Sequence, residues 1–400
     1  MLARGGKVLT SIGVACLVMA AGWFVNIALS VLWDHRATRA ANELASRRRE
    51  PTIAASMAMP VLGGQPAEWV KLLPLDDGAL ALGERDDRSV VLVALDSNGQ
   101  QRAFHELELD RCVRVDAVAI GERQVILLCA TAHVGRLASI IVNGSEIQER
   151  PLGGEGVPLY CPDFCRLFSS TLGGEYVWLL PQQGGDRTMI RGRGLEILDI
   201  VAVRGLSTFV TGMLSFSARR ELLVTHTDNA TELRLSAIAP NGAMRTQVIA
   251  RDEADLRGLM GAAVVTDGHE IGVVWRQLRE PDWPRHSPTS VLVLSRFDEQ
   301  LQPSGSRQQL SEDCFVAALR AYALPRGGLV AWDQGVHGTW RVGSFVRFDS
   351  IGELGHAVAR RTSGGRLPTS VIQSGQKLFM LMPTESAKES SYETVILESP

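Results

Sequence analysis

Lysine is almost missing from this chain of 400 residues. Lys7, Lys71, Lys377 and Lys388 are its only lysines, and the rest of the 41 basic residues are arginine. Helical periodicity is missing beyond Pro51, which excludes a helical bundle or an alternating β/α domain there. Catalytic signatures are missing too. The sequence has no Gly-x-Ser-x-Gly elbow and no glycine-rich phosphate loop ending in Lys-Ser/Thr. Asp76-Asp77-Gly78 and Asp86-Asp87 lack the alternating oxygen ligands of a calcium loop and read as turns. No second ligand pair stands at zinc spacing from Cys161 and Cys165. No catalytic residue, metal or cofactor is therefore expected, and a hydrolase reading would rest on fold analogy alone.

Charge is unevenly placed. Residues 1–50 carry seven Arg/Lys against three Asp/Glu, a net of +4. Residues 51–400 hold the remaining 34 basic and 41 acidic residues, a net of −7. Phosphate backbones repel such a domain, so no nucleic acid is expected as partner. Anionic lipid headgroups attract the basic collar at the N-terminal end.

Uncharged residues run unbroken from Val8 to Trp33, a stretch of 26. That suffices to cross a hydrocarbon core of about 30 Å, and it exceeds the ~7–15-residue apolar core of a cleaved signal. An uncleaved single-pass anchor over residues 1–33 is expected. Cys16 leaves a lipoprotein reading open, although Gly13 stands where such signals carry a leucine-like residue. Orientation is also open. Arg4, Lys7 and the amino terminus lie before the span, whereas Arg36, Arg39 and Arg47 to Arg49 follow it, which would keep the large domain inside. The overall start resembles a bacterial secretory anchor, and an extracytoplasmic domain on the cytoplasmic (inner) membrane is the favoured reading. Residues 34–51 continue as a helical stalk, with Ala37, Ala40, Ala41, Leu44 and Ala45 on one face until Pro51 ends the pattern.

From residue 52 onward the chain repeats one plan of apolar β runs and polar turns. Val90 to Leu95 leads to Asn98-Gly99, Ala138 to Val142 to Asn143-Gly144, and Leu233 to Ile238 to Asn241-Gly242. Val291 to Phe297 leads to Asp298-Glu299, and Val342 to Phe348 to Asp349. Asn-Gly between β runs marks hairpins because both turn residues must accept positive φ. The turns recur at about 45–57 residues, and Gly192 to Ile200 fills the one gap with a degenerate version. Four-stranded repeats of that length are propeller blades. Seven blades are expected, near 65–110, 112–152, 161–203, 207–251, 258–310, 314–360 and 366–400. The last is short of runs, and Thr52 to Leu62 can supply its missing strand and close the ring. A pair of β-sandwiches is the rival architecture.

In this repeat plan residues 52–400 resemble the bacterial β-propeller superfamily. The arginine bias fits a GC-rich bacterial genome. No Trp-Asp signature, kelch double glycine or quinoprotein tryptophan repeat is present, so the resemblance lends an architecture and no site residues.

Three clusters stand out. Glu106, Glu108 and Asp110 alternate and read as the solvated side of an outer strand. Arg187, Arg191, Arg193 and Arg204 make the stretch from Gly184 to Gly205 locally basic, read as solvated strand edges. The loop Arg276 to Ser290, with Trp283, Arg285 and His286 beside two prolines, is the candidate partner-binding element, since Trp and Arg favour binding hot spots. Its alternative role is a lid on the propeller's own core. Cys161 and Cys165 can close a loop disulfide in an oxidising compartment or stand as two thiols beside a turn. The expected function is a non-enzymatic, membrane-anchored propeller serving as scaffold or subunit of a membrane-associated protein assembly. The alternatives are an extracytoplasmic ligand sensor and an enzyme with a site at the propeller mouth.

Overall fold

Strands that are apolar on both faces must be covered on both faces, and a ring of radial sheets does this. The computed structural model describes residues 53–59, 67–85, 89–107, 112–152, 156–160, 167–172, 175–182, 186–206, 209–228, 232–251, 262–279, 289–311, 315–336, 340–354, 360–361, 367–384 and 392–398. They form seven antiparallel sheets, each an up-and-down meander. The innermost strands are Ala67–Leu75, Arg114–Ala119, Phe168–Leu172, Phe209–Phe216, Ala262–Thr266, Phe315–Ala323 and Ser370–Ser374. Each contacts the innermost strand of the next sheet, and the last returns to the first. The protein is a seven-bladed β-propeller. Blades 1 to 6 follow the chain from residue 67, and blade 7 is the composite one.

Seven apolar clusters fill the seven seams between blades. In blade 1, Leu80 and Leu82 face blade 2, whereas Ala79 and Ala81 face blade 7. The period of two in a strand thus sends alternate residues into different seams. It also explains why Val90–Leu95 reads as one unbroken apolar run: all six residues are buried. Trp178 is fully buried in the seam of blades 2 and 3, and Trp332 in that of blades 5 and 6.

Blade 7 joins the two ends of the described chain. Its strands Ser370–Ser374, Lys377–Pro383 and Tyr392–Glu398 are completed on the outside by Ile53–Ala58, in register from Ile53 opposite Leu397 to Ala58 opposite Glu393. The strand expected within 52–62 therefore closes the ring and covers an edge that would otherwise be exposed. The hairpin turns stand where the sequence placed them, but only the glycine of each Asn-Gly pair is left-handed, not both residues as expected. Gly99, Gly144 and Gly242 all take positive φ, and Asp96 accepts the backbone N–H of Asn98 and of Gln100, each at 2.8 Å.

All first and third hairpin turns lie on one side of the ring, called here the turn face. Contacts between them tie neighbouring blades together: Arg123 to Asp76, Arg220 to Glu175, Asp267 to the backbone N–H of Ile351, and Lys377 to the carbonyl of Ser97. Ile53 sits level with Leu397, Leu378 and the turn after Ser374, so the first described strand begins on this face. Residues 1–52, with the expected anchor and stalk, lie outside the described residues. Among the described residues no helix is long and apolar enough to cross a membrane.

One covalent link was not foreseen. Cys112, just before the inner strand of blade 2, is bonded to Cys129 in the second strand, with Cα atoms 5.3 Å apart. Both are buried in the seam of blades 1 and 2. Cys161 and Cys165, which the sequence left open as a loop disulfide or two thiols, lie outside the described residues.

Candidate interaction surface

The outermost strand of a blade is an unpaired edge, and proteins blunt such edges with charge, proline or short length. Most blades here do so. Gln101–Leu107 in blade 1 carries Arg102, His105 and Glu106, and Glu146–Pro151 in blade 2 carries Glu146, Glu149 and Arg150 and ends in proline. In blade 4, Met244–Arg251 carries two arginines, while the outer strands of blades 5 and 6 are two residues long.

Blade 3 differs in exposing large apolar side chains beside its charged residues Glu196 and Asp199. Its outer strand Glu196–Val203 reads Glu-Ile-Leu-Asp-Ile-Val-Ala-Val and is exposed at six of eight positions. Ile197, Leu198 and Ile200 are 40%, 41% and 50% exposed, and Leu195 in the preceding turn is 53% exposed. Four of the seven large apolar side chains exposed among the described residues belong to this one hairpin. A register shift lies opposite Arg191 and Gly192, where Asp199 and Ile197 pair and Leu198 is the extra residue. Such a bulge bends and twists the edge, but it leaves the apolar side chains uncovered. These exposed apolar side chains make the edge the candidate interaction surface.

Beneath this hairpin, on the turn face, lies a buried carboxylate. Glu175 opens the second strand of blade 3 and is 2% exposed. It accepts hydrogen bonds from Arg191 at 2.6 Å, Arg193 at 2.8 Å and Arg220 of blade 4 at 2.7 Å. Burial alone would push its carboxyl pKa up, yet the guanidiniums of Arg191, Arg193 and Arg220 outweigh burial and hold it below the usual glutamate value. Arg191 also donates to the carbonyl of Pro240 at 3.3 Å. Glu221 repeats the arrangement in blade 4, accepting from Arg245 at 2.7 Å with Arg219 3.9 Å away. Arg245 and Arg219 reach on to the carbonyl of Glu299 in blade 5.

Glu175→Gln is expected to lower stability by about 2–3 kcal/mol, because three guanidiniums lose their counter-charge while two of them keep access to water. The native carboxyl has the lower pKa, so its contribution is fully present above the unfolded-state value and is lost as pH falls through the native one. Melting temperature followed from pH 6 to pH 3 should therefore fall more steeply for the native protein than for Glu175→Gln. Parallel curves would show that the cluster is not coupled to folding.

The other sequence candidates fall as follows. Glu106 is exposed and pairs with Arg85 at 3.1 Å, in keeping with a solvated outer strand. Glu108 and Asp110 lie outside the described residues. So do Trp283, Arg285 and His286; the strands Ile271–Arg279 and Thr289–Phe297 that flank them end opposite the turn face. Of the arginines read as solvated strand edges, Arg191 is instead buried on Glu175, while Arg193 is solvated and also donates to Glu175. On the inner strands Lys71 of blade 1 holds Asp116 of blade 2 and Ser169 of blade 3, both at 2.7 Å, while the indole N–H of Trp178 donates to Asp116 at 3.1 Å. These groups satisfy one another and clasp three blades. Among the described residues no cluster of His, Cys, Asp and Glu has the geometry to hold a metal ion.

No family model and no curated protein matches the chain. Among solved structures, BBS1N, from a crystal structure in complex with ARL6DN, is similar at 12% identity with a TM-score of 0.49. The match covers 87% of this chain and 98% of that one. The seven-bladed architecture rests on the sheet order described above.

Proposed function

We propose that the chain is a membrane-anchored β-propeller scaffold, a non-enzymatic subunit of a membrane-associated protein assembly. The observation that carries this reading is the outer strand of blade 3, where Ile197, Leu198 and Ile200 stand exposed between Glu196 and Asp199. Its partner is a protein that covers Ile197, Leu198 and Ile200. The loop with Trp283, Arg285 and His286 is a second docking element in this reading. The 26-residue apolar run before the propeller supplies the anchor.

The Cys112–Cys129 disulfide supports an extracytoplasmic propeller, because such bonds persist in oxidising compartments. It weighs against the arginine count after the span, which favours the opposite orientation.

The test is affinity purification of the full-length protein from native membranes in mild detergent. A stoichiometric protein partner is expected. It should be lost with Ile197→Ser combined with Ile200→Ser, since side chains already exposed can be changed without disturbing the seams. Trp283→Ala with Arg285→Ala should weaken the same association. A protein that purifies alone, or a partner indifferent to both variants, contradicts the reading.

A further inference from the structure

Among the described residues the turn face carries Asp76, Asp77 and Asp96 in blade 1 and Asp267, Glu270 and Asp298 in blade 5, whereas arginines gather at blades 3 and 4. There Arg191, Arg193, Arg219, Arg220 and Arg245 stand against Glu175, Glu196, Asp199 and Glu221, an excess of one positive charge. Across residues 51–400 the balance is −7. The two buried glutamates point the guanidiniums without consuming them. Each arginine has five N–H donors in a rigid fork, and Glu175 occupies one or two on each partner. Arg193 and Arg220 remain 61% and 53% exposed at the side chain, and Arg245 and Arg219 39% and 36%. Leu195 projects from the turn beside them, 53% exposed.

Where the chain joins the propeller decides what this sector meets. Ile53 lies on the turn face at blade 7, almost diametrically across the ring from blades 3 and 4. Only 19 residues separate it from the end of the apolar run at Trp33. As a helix they would span about 28 Å, at 1.5 Å per residue. In the anchored reading the turn face is tethered close to the membrane at blade 7, with the arginine-rich sector of blades 3 and 4 at the far rim.

We propose that the sector formed by Arg193, Leu195, Arg219, Arg220 and Arg245 is a second contact with the membrane, seated on anionic lipid headgroups. It rests on the anchored reading above. The guanidiniums meet lipid phosphates as bidentate partners, and Leu195 enters the headgroup boundary. Tether and seat together fix the tilt of the ring and turn the apolar side of blade 3 to run up from the bilayer, where a membrane-bound partner meets it.

The test uses the full chain in nanodiscs of phosphatidylcholine alone or with 30% phosphatidylglycerol, read by hydrogen exchange. Protection is expected over 193–196 and 217–221 in the anionic discs only, and not over 198–202. It should vanish at 0.5 M salt, where the screening length is a few ångströms. Leu195→Asp with Arg219→Glu, which leaves the Glu175 cluster intact, should abolish it; each arginine charge removed weakens attraction roughly fivefold, and a reversal roughly thirtyfold. Equal exchange in both discs overturns the proposal while the anchor stands. Protection of the segments by a co-purified protein, and not by lipid, overturns it in favour of a larger partner surface. A chain that does not enter nanodiscs at all sinks the anchored reading itself.

Discussion

Deleting Ile53–Ala58 from the full-length chain is expected to cost about 5 kcal/mol and to make the protein prone to aggregate. The strand contributes five register pairs with Tyr392–Glu398, and each ladder position is worth about 1 kcal/mol net. Ser56 donates to Glu393 at 2.7 Å, and Met59, just beyond the strand, is buried against blade 1 beside Ile396. Without the strand, Tyr392–Glu398 becomes an open edge with the sequence Tyr-Glu-Thr-Val-Ile-Leu-Glu, three consecutive apolar residues and no basic residue. Such an edge pairs with other chains. Thermal unfolding and size-exclusion chromatography check this, and a synthetic peptide of residues 52–62 should restore the melting temperature. An unchanged melting temperature would mean that the ring is closed by other means.

Trp178→Ala is the point substitution with the largest expected loss, about 4–5 kcal/mol. Its indole is fully buried between blades 2 and 3 among Ile126, Leu128, Tyr176 and Ile190. Truncating a buried tryptophan leaves a cavity that neighbours held by two sheets cannot fill. The indole N–H is also one donor to buried Asp116, whose other partners are Lys71 and the backbone N–H of Ala117. Trp178→Phe separates the two effects. It keeps most of the volume and loses the hydrogen bond, for an expected cost of about 1.5–3 kcal/mol. Denaturant unfolding of both variants gives the comparison. Equal losses would assign the whole effect to the bond with Asp116.

Much of this architecture was legible because turns are chemically specific. Asn98-Gly99, Asn143-Gly144 and Asn241-Gly242 each stand at a tight turn after a third strand, and positive φ leaves few residue choices there. The short last repeat and the apolar run before residue 62 pointed to a shared blade for the same reason: a β run with no partner needs one. Blade 3 was the least legible. Its turn is Gly194-Leu195, where glycine supplies the positive φ without asparagine, and its outer strand looks like core. Ile197, Leu198 and Ile200 have the composition of a buried strand, and only the ring shows that no blade covers their outer side.

The Glu175 cluster was hidden for a different reason. Arg191 and Arg193 lie 16 and 18 residues away in the same blade, but Arg220 comes from the next one, 45 residues on. Nothing local distinguishes a glutamate that opens a strand from any solvated turn residue. Cys129 was equally opaque. It sits in the uniformly apolar strand Gln124–Ala130, where free cysteine is ordinary, and its partner 17 residues earlier has no spacing signature.

Anchoring on the oxidising side of a membrane underlies both the scaffold and the lipid seat, and one measurement addresses it directly. Cells expressing the full-length protein are fractionated after alkaline carbonate extraction, and the membrane-bound protein is treated with a thiol-reactive polyethylene glycol before and after reduction. The expected result is a carbonate-resistant protein in which Cys112 and Cys129 react only after reduction under denaturing conditions. A carbonate-soluble protein, or one whose Cys112 and Cys129 are reactive thiols without reduction, would contradict the account.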